Sequence, residues 1–409
     1  MLLLFLLVIR PYYDRLRFAT VTGSMALDVY LTNACNLRCK YCFNLDDPTA
    51  PQLPVEDVCE ILEAAYRGGH RYVSITGGEP FIYRRIFEVL DFAHDLGLWV
   101  QVLSHGGLLT DERIRRLKPY WRLRVRISLD GADRATHDPL RGEGTFEKTL
   151  DRIDQLVASK INVGVGMTVS QHNVSQIPDM VDLCIDRGVA FLRVIPVVRV
   201  KKGRTAVVDA TLHEHILESI IQQSIKHLSR LDVPPRSALP VTSQIDLLTT
   251  RRCMAGTKFF SVTSNKDILP CPLIYEHHLI PTIRFQSGDS FVQITQRMDQ
   301  LFDAIEPALQ GICRDCDFRS VCYGGCLAEK LSFDRDLADE QPVCTKKLLE
   351  KVATRFPPEQ FRVVVNSWVD RLTQNIESDD KHACMRQAPY WSVNFRTGDG
   401  WSGANERFN

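Results

Sequence analysis

Leu27-Asp-Val-Tyr-Leu31-Thr-Asn-Ala-Cys35-Asn-Leu-Arg-Cys39-Lys-Tyr-Cys42 places three cysteines within eight residues, just past a candidate strand, Leu27 to Leu31. In a parallel α/β barrel the loops at that end of the strands form the active site. Three thiolates are one fewer than the four that normally close an iron–sulfur cube, so one iron is left free to take a substrate or cofactor. Zinc knuckles usually pair a two-residue gap with a second pair some distance on, whereas this triplet stands alone.

Outward from this segment, short runs rich in β-branched residues alternate with helical spacing. Further candidate strands are Tyr72 to Thr76, Leu98 to Leu103, Val125 to Leu129, Val163 to Val169 and Phe191 to Val197. Helical periodicity separates them in Val55, Val58, Leu62 and Ala65, in Ile86, Val89 and Ala93, in Ile114 and Leu117, in Phe146, Leu150 and Ile153, and in Ile177, Met180 and Cys184. A sixth helix around Leu212 to Leu228 closes the run, and Val233 to Pro240 reads as a linker. Six strand–helix units with right-handed crossovers predict an α/β fold, a partial (β/α)6 TIM-like barrel, followed by a small cysteine-rich C-terminal iron–sulfur domain. The expected divisions are residues 1–25 as an N-terminal extension, 26–235 as the barrel, 245–349 as the cysteine-rich domain, and 350–409 as a helical segment and tail. The aromatic tail around Pro389 to Phe395 is expected to be loosely ordered.

Composition narrows the function classes. Fifty basic against fifty acidic residues give no electrostatic reason to expect nucleic acid as a partner. A local excess, Arg113, Arg115, Arg116, Lys118, Arg122, Arg124 and Arg126, reads as a solvated helix face and the start of a strand. The apolar run Met1 to Ile9 falls far short of the roughly 18 residues of a membrane span. It also lacks the basic start of a secretory signal, and Met25 is an alternative start. Thirteen cysteines, an odd count, argue against a paired disulfide scaffold and for metal in a cytoplasmic protein.

The triplet resembles the signature of the radical S-adenosylmethionine superfamily, with an aromatic residue, Tyr41, before the last cysteine. The resemblance covers roughly residues 26 to 205. It implies a [4Fe–4S] cluster on Cys35, Cys39 and Cys42, and reductive cleavage of S-adenosylmethionine to a 5′-deoxyadenosyl radical that abstracts a substrate hydrogen. Thr76-Gly77-Gly78-Glu79-Pro80 matches the family's glycine-rich segment, where small residues let the backbone approach the methionine amino group and Glu79 accepts a hydrogen bond from it. By the same resemblance Ser104 contacts the ribose, with His105 departing from the pattern. Ser128 and Arg141, in the loop after the fourth strand, hold the cofactor carboxylate, and backbone near Val194 and Ile195 meets the adenine. Asp130 reads as a turn residue.

A second field, Cys313-x2-Cys316-x5-Cys322-x3-Cys326 with Cys344, preceded by Cys253 and Cys271, resembles the SPASM extension of radical peptide and protein maturases. The resemblance implies two auxiliary [4Fe–4S] clusters: one on Cys313, Cys316, Cys322 and Cys344, the other on Cys253, Cys271 and Cys326, one ligand short. The glycine usual five residues before the second of these cysteines is Lys266 here. Cys59 and Cys184 read as core thiols, and Cys384 as free or as the missing ligand. The implied activity is hydrogen abstraction from a side chain of a ribosomally made peptide or protein. An external electron donor such as flavodoxin or ferredoxin and a separate leader-recognition protein are the expected partners, with no nucleic acid and no membrane. A porphyrin or other small molecule is the alternative substrate, and a zinc- or cluster-stapled binding module is the non-enzymatic alternative. Sulfatase maturation is disfavoured because Pro272 stands where an acidic residue is expected.

Overall fold

The computed structural model describes residues 25–44, 52–206, 208–226, 255–256, 259–274, 283–303, 309–316, 324–336, 338–340, 342–361, 363–364 and 391–394. The expected linker, Cys253, Cys322 and Cys384 lie outside the described residues. Six strands follow the expected runs to within two residues: β1 (Met25–Tyr30), β2 (His70–Thr76), β3 (Trp99–Ser104), β4 (Leu123–Ser128), β5 (Asn162–Val169) and β6 (Phe191–Pro196). All pair in parallel, in sequence order. The crossovers are α1 (Val55–Arg67), α2 (Ile86–Asp95), α3 (Asp111–Leu117), α4 (Arg134–Arg141), α5 (Thr145–Ala158), α6 (Ile177–Asp186) and α7 (Ala210–Lys226).

Alternate strand residues turn toward the helices. Leu27, Val29, Val73, Ile75, Val100, Val102, Val125, Ile127, Val163 and Val165 join Val58, Leu62, Val89, Ile114, Ile153 and Val181 in one buried core. Each such side chain contributes about 1.5–3 kcal/mol by leaving water. α4 was not expected, and Arg141 is its last residue rather than a loop residue. Pro139 argues against a helix here, but Asp133 caps the start by accepting from Thr136 N at 2.8 Å, and Gly142 stops it at φ 129°.

The cysteine-rich part continues the barrel's sheet. β7 (Phe259–Val262) pairs in parallel with β1, and β8 (Asp267–Leu269) and β9 (Ile283–Arg284) follow antiparallel. Lys266 takes the left-handed conformation that glycine favours, φ 66°, and its Nζ pairs with Asp57 at 3.0 Å, so the turn forms without the glycine. The described residues of this part also include the helices α8 (Phe291–Asp303), α9 (Gly311–Arg314), α10 (Leu327–Ser332) and α11 (Thr345–Ala353). At the other edge β10 (Trp391–Asn394) pairs antiparallel with β6. Part of the tail expected to be loose is therefore a strand that satisfies the open edge of β6.

The concave face, opposite the helices, is polar. Asp28 sits there between Ser74 and Ser261 in register. Burial raises its carboxyl from the ordinary 3.8 to about 6, outweighing the Ser74 hydrogen bond and the charges of Arg193 and Arg126. A raised folded-state value means that the contribution to stability is present below about pH 4 and is lost as pH rises through about 6. Asp28→Asn is therefore expected to stabilise the fold at pH 8, by at most about 3 kcal/mol, and to change little at pH 4. Urea unfolding at the two pH values measures this, and equal effects at both would refute it.

Candidate active site

The loop that follows β1 carries Cys35, Cys39 and Cys42, all partly exposed. Leu37 N lies 3.4 Å from Cys35 Sγ, a contact that stabilises a thiolate. The three thiols act on one another: burial raises Cys35 to about 11, and the neighbouring Glu79, Cys39 and Cys42 add to the rise. Burial likewise raises Cys42, against the pull of Arg141 and Lys202. Negative charge at this loop therefore needs a positive partner, such as metal, to persist. The chain supplies cationic charge of its own, for Arg141 Nη1 is 3.8 Å from Cys39 Sγ. The loop is also tied to α4 through Lys40 N, which donates to Leu140 O at 2.8 Å.

The glycine-rich segment buttresses this loop. Gly78 N donates to Thr32 O at 2.7 Å and Glu79 N to Ala34 O at 2.9 Å. A Cβ on Gly77 would lie 2.2 Å from Thr32 O, and one on Gly78 2.0 Å from Ala34 O. The space that the missing side chains leave is thus taken by the protein's own backbone, leading into Cys35. Glu79, 1% exposed, is a hub: Oε1 accepts from Phe81 N at 3.1 Å and Ser104 Oγ at 2.8 Å, and Oε2 accepts from His105 N at 3.0 Å.

Ser104 also accepts from Gly106 N at 2.9 Å, so its hydroxyl is held inside the fold beside Glu79. His105 Nδ1 accepts from Gly107 N, which leaves the proton on Nε2, 2.9 Å from Asn36 Oδ1 and 3.3 Å from Glu79 Oε2. Burial lowers the His105 imidazole against the pull of Glu79, and Arg141 adds to the lowering. Asn36 lies inside the cysteine loop, so His105 links that loop to Glu79. The sequence pattern marked His105 only as a departure and gave no signal of this link.

Arg141 grips Asp130, with Nε 2.6 Å from Oδ2 and Nη2 3.2 Å from Oδ1. Asp130 also accepts from Thr168 N at 2.8 Å, so it anchors Arg141 beyond holding a turn. Ser128 ends β4 on the concave face, level with Gly166. Val194 pairs with Trp391 of β10, while Ile195 lies past that pairing. Tyr41 is partly buried, with the Lys40 ammonium 5.9 Å from its ring centroid.

In the second cysteine field Cys271 and Cys326 pack on the same small cluster, Ile274, Ala328 and Leu331. Cys326 and Cys344 precede α10 and α11 as their N-caps, and Cys313 lies on α9. Cys316 packs against the main core. Cys184 is fully buried, and Cys59 packs partly against the same core. Among the described residues no three His, Cys, Asp or Glu side chains converge on one metal ion. Beside the thiol loop, Phe43, Val200, Leu269, Pro272 and Leu273 line a cavity of about 40 Å³ whose other walls include Tyr30 and Lys201.

Residues 29–184 match the family model of the Radical SAM superfamily. This chain carries a radical SAM domain. It is therefore an S-adenosylmethionine-dependent enzyme of the type that uses a [4Fe–4S] cluster, and the stapled binding module is set aside. Among curated relatives, the AdoMet-dependent heme synthase of Methanosarcina barkeri is 28% identical, over 77% of this chain and 94% of its own length. The mycofactocin maturase MftC of Mycobacterium ulcerans is 27% identical, over 77% and 86%. Streptococcus suis SuiB bound to S-adenosylmethionine has a similar fold, TM-score 0.63 at 19% identity over 82% and 81%, and SuiB has also been solved with its precursor peptide SuiA. No helix among the described residues is long and apolar enough to cross a membrane.

Proposed function

We propose that this radical SAM enzyme is a cytoplasmic maturase that acts on a side chain of a ribosomally made peptide or protein. The observation that carries the reading is the buttressed loop: three mutually interacting thiols, partly open, next to the Arg141 guanidinium and fixed by Gly78, Glu79 and His105. Cys35, Cys39 and Cys42 hold the cluster, and Arg141, positioned by Asp130, and Ser128 face the carboxylate of S-adenosylmethionine. When bound, the cluster and cofactor supply the radical that removes a substrate hydrogen. The chain's own work is to hold the thiol loop, to orient cofactor and substrate, and to keep water from the reacting atoms. Peptide maturases among its relatives support a peptide substrate, delivered by a separate leader-recognition protein and served by an external electron donor such as flavodoxin or ferredoxin. The similarity to heme synthases favours a second reading, in which the substrate is a porphyrin.

The cysteine-rich part holds two auxiliary clusters of unequal stability. Cys313, Cys316, Cys322 and Cys344 close one cube, whereas Cys253, Cys271 and Cys326 leave one iron on a weaker ligand. Anaerobic reconstitution is expected to give about twelve irons per chain, falling toward about eight under mild chelation. A ceiling of about four irons, with zinc in the remaining sites, would remove the auxiliary clusters from the reading.

A further inference from the structure

The last barrel strand has an outer edge that its present partner covers only in part. On its inner side β6 pairs with β5 along its whole length, from Phe191 opposite Gly164 to Pro196 opposite Val169. On its outer side its neighbour among the described residues is the four-residue β10. That strand runs antiparallel, from Trp391 opposite Val194 to Asn394 opposite Phe191, so Ile195 and Pro196 extend past the ladder. They lie at the carboxyl end of β6. Because β1 to β6 are parallel, this is also the end at which the thiol loop follows β1. Val200, a few residues beyond β6, lines the same cavity as Phe43 and Asn44 of that loop. The tail carries Pro389 two positions before Trp391, and proline has no N–H with which to lengthen a ladder.

A sheet edge takes up an extended peptide through main-chain hydrogen bonds, whatever the side chains. A ladder of four residues makes few such bonds, and a segment that also pairs with Ile195 makes more, so it displaces β10. The direction of the pairing fixes the polarity of the guest. β10 runs from the carboxyl end of β6 toward its amino end, so the residue that precedes a segment docked in the same sense emerges at the end of the sheet that carries the thiol loop. We propose that the outer edge of β6 is the acceptor for an extended segment of the peptide substrate, that β10 holds this edge in the free enzyme, and that the residue to be modified lies on the N-terminal side of the docked segment. This rests on the peptide reading above, since a porphyrin has no main chain to add to a sheet.

Fluorescence anisotropy on the full-length, anaerobically reconstituted chain tests it. The probe is a fluorescein-labelled peptide with the sequence of residues 388–397, valine replacing Pro389. The hosts are the parent and a variant carrying Ser392→Pro and Val393→Pro. Successive residues of an antiparallel strand alternate between bonded and non-bonded positions, so this pair removes a ladder donor whatever the phase. The variant is expected to bind the probe about tenfold or more tighter than the parent, whose own β10 keeps most of the edge occupied. A probe N-methylated at the same two positions should bind neither. A photo-cross-linking residue at the N-terminal end of the probe should label the chain between Thr32 and Asn44 or between Val197 and Arg204, and one at the C-terminal end should not. Equal affinity for parent and variant, no binding to the folded variant, undiminished binding of the N-methylated probe, or labelling from the C-terminal end instead overturns the inference. If circular dichroism shows that the proline variant does not fold, Ser392→Gly with Val393→Gly, which weakens β10 and keeps its N–H groups, takes its place. Substrate-free cleavage of S-adenosylmethionine by the same preparations keeps the two readings apart: if it persists while the probe fails to bind, only the edge site falls.

Discussion

The triple replacement of Cys35, Cys39 and Cys42 by alanine is expected to abolish reductive cleavage of S-adenosylmethionine, while the cysteines after residue 245 go on binding iron. The loss should be complete rather than graded, because all three thiols of the loop are removed together. Arg141, 3.8 Å from Cys39 Sγ, is fixed on Asp130 and keeps that ion pair when the thiols are gone. Iron after anaerobic reconstitution should drop by about four atoms per chain, with the sheet unaltered by circular dichroism. Full cleavage by the triple variant would sink the assignment of the loop. A fall in iron that matches the auxiliary sites instead would mean that the thiols of the loop are structural.

The order of elements was legible because the apolar face of each strand and helix repeats with a fixed period. Val163 to Val169 and Phe191 to Val197 read as strands on that ground and are strands. What escaped the reading rests on contacts that no period records. α4 was hidden by Pro139, and its existence depends on the Asp133 cap and the Gly142 stop. Arg124 and Arg126 read as part of a solvated basic stretch, yet they alternate with Leu123, Val125 and Ile127 onto the concave face. β10 shows its identity only against the open edge of β6. In the site, motif spacing named Gly77, Gly78, Glu79 and Ser104, but the roles visible in the structure are partly internal. Glu79 collects donors from nearby Phe81 and from Ser104 and His105, 25 and 26 positions on, and His105 reaches Asn36, 69 positions away.

That internal role makes Gly78→Ala a damaging change that leaves every thiol in place. Gly78 has an ordinary φ, so the effect is one of space rather than of backbone strain. The new Cβ would lie 2.0 Å from Ala34 O and 2.6 Å from Asn33 O, and both neighbours are backbone, which has no rotamer to move aside. The contact yields only if the segment from Thr32 to Ala34 withdraws. Withdrawal breaks the bonds from Gly78 N to Thr32 O and from Glu79 N to Ala34 O, and turns the Cys35 end of the loop away from Cys39 and Cys42. Overpacking of about 1–3 kcal/mol, plus about 1 kcal/mol for each hydrogen bond lost, gives a local cost of about 3 kcal/mol or more. The helices pack on the opposite face of the sheet and do not share in this cost, so the far-ultraviolet circular dichroism should stay close to that of the parent. The expected result is a folded chain that reconstitutes the auxiliary sites, has lost about four irons, and no longer binds S-adenosylmethionine by titration. Parent-like iron content and cofactor affinity in Gly78→Ala would show that the loop tolerates the displacement and that the buttress does not set its geometry.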